Sequence, residues 1–291
     1  MEKNYAYENV TNAIISMLEQ GVVPWHKTWH GGVNSHKNFI NKREYRGINT
    51  ILLSLTPYAC PYWASFKQIS DKGGKVKEGE HGTTVVFWKY FKKEETDADT
   101  GEIKTKTIPM LRYYKVFNLE QTTGIDWEMP VIPENTLSPI EACEDVVVNY
   151  KTKPCIKFGG NAAYYSPRFD YIQLPEFENF ESAEDFYSTE FHEMVHSTGH
   201  ENRLARSNVM NVERFGSENY SAEELVAELG AAFLCAETGI APATINNSAS
   251  YIDNWIKVFK NNKKILIEAA SKAQKAVDYI LGKTQTEEKG E

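Results

Sequence analysis

Cysteine is scarce in this 291-residue sequence, and the few that occur exclude two common uses of the residue. Cys60, Cys143, Cys155 and Cys235 lie far apart and form no CxxC pair. Neither a zinc ribbon nor a disulfide framework is therefore predicted. This usage fits a reduced compartment, and we expect a cytoplasmic protein.

Long apolar runs are also missing. No stretch approaches the ~20 residues that a membrane span needs, and the first residues, MEKNYAYENV, lack the apolar segment of a signal peptide. We therefore expect no membrane partner.

Charge and proline divide the chain unevenly. Residues 1–125 carry a net charge of +4 and residues 126–291 a net charge of −12, while residues 126–139 hold three prolines and follow no helical or strand period. Because 291 residues exceed a typical domain of ~100–200, we predict two domains, 1–125 and 140–283. Residues 126–139 are predicted to be a linker, and the polar residues 284–291 a disordered tail.

The apolar periodicity predicts an α+β protein. Two strands, 83–91 and 110–117, flank a polar loop containing DADTG and are predicted to form a β-hairpin. Short extended segments are expected at 154–158, 162–166 and 170–174. Helices are expected at 5–20, 47–55, 64–72, 140–151, 182–199, 221–238, 249–261 and 263–281.

The sequence HEMVH, residues 192–196, has the spacing of a hydrolytic metal centre. Residues four apart share a helix face with Cβ atoms about 5–6 Å apart, so His192 and His196 can bind one ion with Glu193 beside it. The apolar residues of this helix form the opposite stripe, which places the metal-type side chains toward a cleft. The alternative is a helix with two hydrogen-bonded histidines and no metal.

A catalytic zinc site usually has three protein ligands, so one more is needed. A third histidine six residues after His196 is excluded, because Asn202 stands there and His200 comes too early. A carboxylate from the helix 221–238 is the other option. Glu224 and Glu228 share a face there, while Glu223 points about 100° away.

Glu224 and Glu228 can have different roles at such a site. The simplest arrangement makes Glu224 the ligand and Glu228 a carboxylate that hydrogen-bonds a ligand histidine, with Glu228 the second choice as ligand. Ser221-x-x-Glu224 is also a capping box, in which Glu224 would only reach the Ser221 amide.

Such a centre would hydrolyse a carbonyl compound. The ion would polarise the carbonyl, and Glu193 would act as the general base toward water and later protonate the leaving amine. Zinc suits two histidines and one carboxylate, but manganese, cobalt or nickel also accept them. Candidate donors to the oxyanion are Tyr164, Tyr165, His200 and Tyr220.

Aromatic and basic residues are interleaved in the first half, as in proteins that bind single-stranded nucleic acid. They could equally form a core with solvated lysines around it. The candidate DNA contacts are Trp25, Trp29, Tyr45, Arg46, Asn49, Trp63, Lys67, Lys75 and Lys77, with Arg43, Phe66, Lys72, Tyr113 and Lys115 as further members of the same set.

Taken together, the motifs resemble one known family. HEMVHSTGHENRL and FGSENYSAEELVAELGAAFLC, within 191–235, resemble the metallopeptidase half of ArdC-type antirestriction proteins of conjugative elements. The motifs PWHKTW, EYRGIN, YWASFKQI and YYKVFNLEQTTGI resemble the half of that family that binds single-stranded DNA. The resemblance covers almost the whole chain.

The resemblance implies a zincin-like fold, a divalent metal such as Zn²⁺ or Mn²⁺, binding of single-stranded DNA, and protection of incoming DNA against restriction. It implies His192, His196 and Glu224 as ligands and Glu193 as catalytic base. Restriction enzymes or other DNA-bound proteins are then expected targets. Two other hypotheses stay open: a protein that occludes DNA and whose metal site is structural or inactive, and a peptidase whose first domain recognises protein.

Overall fold

The computed structural model of the protein describes residues 2–26, 35–96, 103–129, 138–210, 218–240 and 249–283. The fold is α+β, as predicted. The predicted tail, 284–291, and most of the predicted linker lie outside the described residues.

Among the described residues, the first half contains a four-stranded sheet and three α-helices. Its strand order is β1-β2-β5-β4, with β1 parallel to β2 and the other pairs antiparallel. A second, two-stranded sheet pairs β3 with β6. The elements are α1 (Glu2–Glu19), β1 (Lys37–Asn38), α2 (Ile48–Ser54), β2 (Tyr62–Ser65), α3 (Phe66–Asp71), β3 (Lys75–Val76), β4 (Thr83–Thr96), β5 (Ile103–Asn118) and β6 (Thr122–Thr123).

The predicted hairpin is confirmed and is longer than expected. Strands β4 and β5 pair in register from Thr83 with Val116 to Thr96 with Ile103. The helix predicted at 64–72 begins later, because Ser65 is its N-cap and forms a reciprocal capping box with Gln68. The residues before this cap pair with β5 as strand β2.

The second half consists of helices around a three-stranded sheet of order β7-β9-β8. Its elements are α4 (Pro139–Asn149), β7 (Cys155–Phe158), β8 (Tyr164–Ser166), β9 (Tyr171–Leu174), α5 (Ala183–Ser197), α6 (Ser207–Met210), α7 (Glu218–Thr238), α8 (Ala249–Asn261) and α9 (Ile265–Ile280). Helix α7 packs between α5 and α9, and the predicted helices of this half are present within a few residues of the expected bounds.

The largest hydrophobic core is continuous across both halves. It includes Ile14 of α1 and Ile51 of α2 together with Phe259 of α8 and Ala270 of α9. Helix α1 packs on α8, and α2 packs on α9. Among the described residues no helix is long and apolar enough to cross a membrane.

Candidate metal centre

Helix α5 presents the HEMVH sequence with the predicted orientation. Ser182 is its N-cap and accepts a hydrogen bond from the Asp185 amide at 3.1 Å. The predicted apolar stripe is buried, with Phe191, Met194 and Val195 fully enclosed. The two histidines of the motif therefore project from the opposite side of the helix.

Close packing of α5 on α7 brings a carboxylate to these histidines. A Cβ atom built on Gly230 of α7 would lie 2.7 Å from Cγ2 and 2.9 Å from Cγ1 of Val195. The absence of a side chain at Gly230 thus lets the two helices approach. Glu224, nearly two turns earlier on α7, then faces His192 and His196.

The three predicted ligands converge. Nε2 of His192 and Nε2 of His196 are 3.1 Å apart, and each lies 3.6 Å from an oxygen of Glu224. One donor atom from each residue lies within 4.8 Å of the others. Donors about 2.0–2.2 Å from a tetrahedral zinc ion are separated by roughly 3.3–3.6 Å, so this set fits a divalent ion.

The capping-box alternative for Glu224 is wrong. Helix α7 begins at Glu218, so Ser221 lies inside the helix and is not its N-cap. The Glu224 carboxylate points to the histidines, with 28% of its side chain exposed. The cluster is therefore open to solvent on the side of Glu224.

Glu193 adjoins the cluster and is itself largely enclosed, with 7% of its surface exposed. Among the described residues its carboxylate makes neither a hydrogen bond nor an ion pair. Its negative charge acts on His192. An enclosed carboxylate that is not committed to another bond suits the predicted role of proton acceptor.

The surrounding carboxylates change the pKa of His192. Burial lowers it, but the hydrogen bond with Glu224 and the charges of Glu193, Glu224 and Glu228 outweigh burial and raise the pKa to about 9. These carboxylates thus create a negative electrostatic potential at His192, which favours a positive charge there.

The carboxylate behind a histidine of the motif is Glu223, and the prediction of Glu228 for this place is wrong. Oε1 of Glu223 lies 3.4 Å from Nδ1 of His196. Burial favours the neutral form of Glu223, yet its bonds to His196 and Arg206 and the positive charge of Arg206 lower its pKa. Glu223 does point away from Glu224, as expected, but toward the back of His196.

Glu228 has partners from both halves of the chain. It accepts hydrogen bonds from the indole Nε1 of Trp25, at 2.8 Å, and from the hydroxyl of Tyr251 on α8. Burial raises its pKa, while these two bonds and the charge of His192 act in the other direction. Glu228 therefore contributes charge near His192 without a hydrogen bond to it among the described residues.

Two of the proposed oxyanion donors belong to other networks. The hydroxyl of Tyr165 donates to Asp170 at 2.8 Å and accepts from Arg203 at 3.1 Å. Burial and the bond to Asp170 raise the pKa of Tyr165. The Tyr164 hydroxyl pairs with that of Tyr171 at 3.0 Å. His200 is buried and accepts from the Asn202 amide at 3.3 Å.

Two tryptophans predicted to stack on DNA bases are core residues, so these predictions are wrong. Trp25 and Trp63 are each 0% exposed. Trp25 packs edge-on against Trp255 and Phe259, and Nε1 of Trp63 donates to His36 at 3.1 Å. A base cannot reach either ring.

Three further residues predicted to contact DNA make ion pairs, hydrogen bonds or packing contacts within the protein. Arg46 forms an ion pair with the buried Asp278 of α9. Both amide atoms of Asn49 bond to the backbone of Val86, at 2.7 and 2.8 Å, which fixes α2 on β4. Tyr45 packs on the buried cluster around Trp63. These contacts give the three residues structural roles.

The remaining DNA candidates lie on the surface. Lys67, Lys75 and Lys77 are exposed, although Nζ of Lys77 also donates to the Glu120 carbonyl at 2.7 Å. Phe66 is 64% exposed and packs edge-on against Phe117. Trp29 lies outside the described residues. Arg43, Lys72, Tyr113 and Lys115 are likewise exposed.

The sequence interpretation missed Arg206 and Tyr251. Each is a polar partner of a carboxylate on α7, and each comes from a segment outside that helix. The sequence did contain a signal for such partners. Helix α7 carries three carboxylates in six residues, and a buried carboxylate needs a cation or hydrogen-bond donors.

Two protein families match the chain. Residues 4–117 match the N-terminal domain of the anti-restriction factor ArdC, and residues 142–272 match a zincin-like metallopeptidase family.

Related proteins cover nearly the whole chain. The uncharacterized protein y4eC of Sinorhizobium fredii is 33% identical over 286 residues, which are 94% of this chain and 91% of that protein. The DNA primase TraC of Escherichia coli is 33% identical over 294 residues and matches 94% of this chain, but the chain spans only 27% of TraC.

Two solved structures share the fold. The metal-free crystal structure of the antirestriction ArdC protein from plasmid R388 is 34% identical, covers 95% of this chain and 97% of its own, and superposes with a TM-score of 0.72. The Mn(II)-bound structure of the same protein has the same identity and coverage and a TM-score of 0.73.

Proposed function

Because the chain belongs to the ArdC antirestriction family and carries its zincin-like metallopeptidase domain, we propose that it binds single-stranded DNA and hydrolyses peptide bonds at a divalent metal centre. The observation that carries the proposal is the convergence of His192, His196 and Glu224 beside Glu193. Two imidazoles and one carboxylate leave a coordination position for water or substrate.

The ion would be held by His192 and His196 from α5 and by Glu224 from α7. Such an ion supplies Lewis acidity, which polarises the scissile carbonyl. Zinc suits this donor set, and manganese accepts it too. The Mn(II)-bound structure of the related ArdC protein supports a divalent ion in this fold.

Glu193 would handle the proton. Its carboxylate is enclosed, adjoins the histidines in sequence and is free of other bonds among the described residues. It would take a proton from the attacking water and deliver it to the leaving amine. This role needs an ionised carboxylate and a dry site, and the burial of Glu193 supports the second condition.

DNA binding would use the exposed lysines of the first half. Lys67 and Lys75 offer charges to phosphates, and the exposed ring of Phe66 offers a face for stacking. A net charge of +4 over residues 1–125 is modest, so binding through phosphates should weaken steeply as salt rises. The protein would thereby place hydrolysis near DNA-bound proteins such as restriction enzymes.

Glu193→Gln tests the peptidase step. We expect cleavage of an unfolded protein substrate by the Zn²⁺- or Mn²⁺-loaded protein to fall by about 10²–10⁴-fold, while metal content and the mobility shift of a single-stranded oligonucleotide stay unchanged. Glu201→Gln is the matched control, since Glu201 is exposed just beyond α5. Equal cleavage by Glu193→Gln would remove Glu193 from the mechanism.

The same variant separates the peptidase from a DNA-occluding protein with an inactive metal site. Protection of incoming DNA in cells is measured for both proteins. If protection depends on hydrolysis, Glu193→Gln loses it with DNA affinity intact. Protection that persists in Glu193→Gln but fails when Lys67 and Lys75 are replaced would favour occlusion.

A further inference from the structure

Arg206 donates hydrogen bonds to both helices of the candidate metal centre, α5 and α7. On one side, Nη2 donates to the Val195 carbonyl at 2.8 Å and Nη1 to the Thr198 hydroxyl at 2.6 Å, at the end of α5. On the other side, Nε lies 3.1 and 3.2 Å from the oxygens of Glu223, and Nη2 lies 2.7 Å from Oε1. Both side chains are buried, with 8% and 7% exposed.

Glu223, which Arg206 holds in place, also contacts His196, one of the proposed ligands. Its Oε1 lies 3.4 Å from Nδ1 of His196. An ionised carboxylate can only accept hydrogen bonds, so a hydrogen bond between these two groups requires the proton on Nδ1 of His196. In the neutral ring, Nε2 then has the lone pair, and Nε2 is the atom that faces His192 and Glu224.

We propose that Glu223 and Arg206 are positioning residues of the metal centre: Glu223 holds His196 in the Nδ1–H tautomer, and Arg206 fixes Glu223 while tying the end of α5 to α7. The proposal rests on the proposed metal site but not on peptide cleavage. A carboxylate behind a ligand histidine typically changes metal affinity by about 10–100-fold. Arg206 matters for a second reason, because it joins the helix that carries the histidines to the helix that carries Glu224.

Arg203, three residues before Arg206 in the segment after α5, provides a matched comparison for Arg206. It is also buried, donates to an α5 carbonyl, Ser197 O at 2.7 Å, and pairs with a carboxylate, Asp170. Asp170 does not contact any of the three proposed ligands among the described residues. Arg203 therefore shares the structural contacts of Arg206 and lacks its link to a ligand.

The experiment compares Glu223→Gln, Arg206→Lys and Arg203→Lys. Zn²⁺ is titrated in competition with a chromophoric chelator, and the His196 tautomer is read in the metal-free protein by ¹⁵N correlation spectroscopy of the ring. We expect Glu223→Gln to bind Zn²⁺ about 10–100-fold more weakly and to lose the pure Nδ1–H tautomer. Arg206→Lys should weaken binding in the same direction, because lysine cannot fork around the carboxylate.

Stability and positioning are separated by the control. Arg203→Lys should lower the melting temperature with unchanged Zn²⁺ affinity. Wild-type affinity and tautomer in Glu223→Gln would overturn the proposal, and so would an equal loss of affinity in Arg203→Lys. If Glu223→Gln unfolds because Arg206 is left unpaired, the double variant Arg206→Met, Glu223→Gln removes both buried charges together. That variant must then show the same loss of Zn²⁺ affinity. Cleavage assays do not enter this test, so the peptidase hypothesis can fail while the positioning role stands.

Discussion

His192 and His36 represent the two halves of the molecule, and their environments shift the pKa in opposite directions. His192 faces three carboxylates, which raise its pKa to about 9. His36 is partly buried between neutral partners, with Ser54 Oγ at 3.0 Å from Nε2 and the Trp63 indole donating to Nδ1. Burial lowers the pKa of His36 to about 4.

The comparison separates a charged site from a neutral core. In the second half, several carboxylates and two histidines stay together although their mutual proximity is costly without a cation. In the first half, several of the polar and aromatic groups that resembled a binding surface are instead packed or bonded in the interior, among them Trp25, Trp63 and Asn49. Grouped polar residues therefore indicate function only where their charges do not cancel.

The largest expected effect distinguishes two aromatic residues of the first half, Trp63 in the core and Phe66 on the surface. Trp63→Ala should lower the free energy of unfolding by about 3–5 kcal/mol, because Trp63 is fully buried. Phe66→Ala should leave it nearly unchanged and instead weaken binding of single-stranded DNA, by about 1–3 kcal/mol if a base stacks there. Urea unfolding and oligonucleotide titration measure the two effects. Weaker DNA binding by folded Trp63→Ala would contradict the assignment of Trp63 to the core.

The next effect compares two carboxylates on one helix. Glu224→Ala should lower Zn²⁺ affinity by more than about 100-fold, since a direct ligand contributes more than the groups behind it. Glu228→Ala should retain the ion but lose stability, because the buried hydrogen bonds from Trp25 and Tyr251 to this carboxylate are lost. Elemental analysis after dialysis, together with thermal unfolding, distinguishes the two. Full metal retention in Glu224→Ala would exclude this residue as the ligand.

A pH-dependent effect tests the neutral core. The folded-state pKa of His36, about 4, lies below the ordinary value of 6.5. Between these pH values the unfolded chain binds more protons, so the free energy of unfolding should fall by about 2 kcal/mol as pH drops from about 6.5 to 4. His36→Gln should lack this component, whereas replacement of the exposed His81 should retain it. Identical pH profiles for His36→Gln and the wild type would refute the neutral state of His36.

The smallest effect concerns the surface lysines. Replacing Lys67 or Lys75 by alanine should leave the melting temperature unchanged and reduce the salt dependence of single-strand binding. The logarithmic slope should become shallower by roughly 0.7 for each phosphate that the variant no longer neutralises. Lys272 of α9 is an exposed control in the other half. A slope that falls equally in Lys272→Ala would place DNA contacts on the second half as well.

The two halves also differ in how far the sequence predicted them. The proposed metal centre depends on His192 and His196, which are four residues apart on one helix, and on Glu224 in a second helix. Such helical spacing is a strong signal in a sequence. The position of Glu223 behind His196 was not predictable from helical periodicity alone. It depends on Arg206, which follows the end of α5. For Glu228 the sequence predicted burial, but its donors Trp25 and Tyr251 come from distant segments.

In the first half, the hairpin was predictable because its strands have β-forming residues around a polar loop. The burial of Trp25 and Trp63 was not. Each stands in a short segment without a repeating pattern, and an aromatic ring suits a core and a stacking surface equally well. Only the contacts with α8 and with His36 distinguish the two uses.

The hydrogen bond from Trp25 to Glu228 has a consequence for any attempt to dissect or exchange the halves. The family boundaries divide the chain between residues 117 and 142, yet a fragment cut there would expose the Glu228 carboxylate and the rings of Trp255 and Phe259 to water. A hybrid with a foreign N-terminal half would need an indole donor at the same place. The two halves must therefore be exchanged or redesigned as a matched pair.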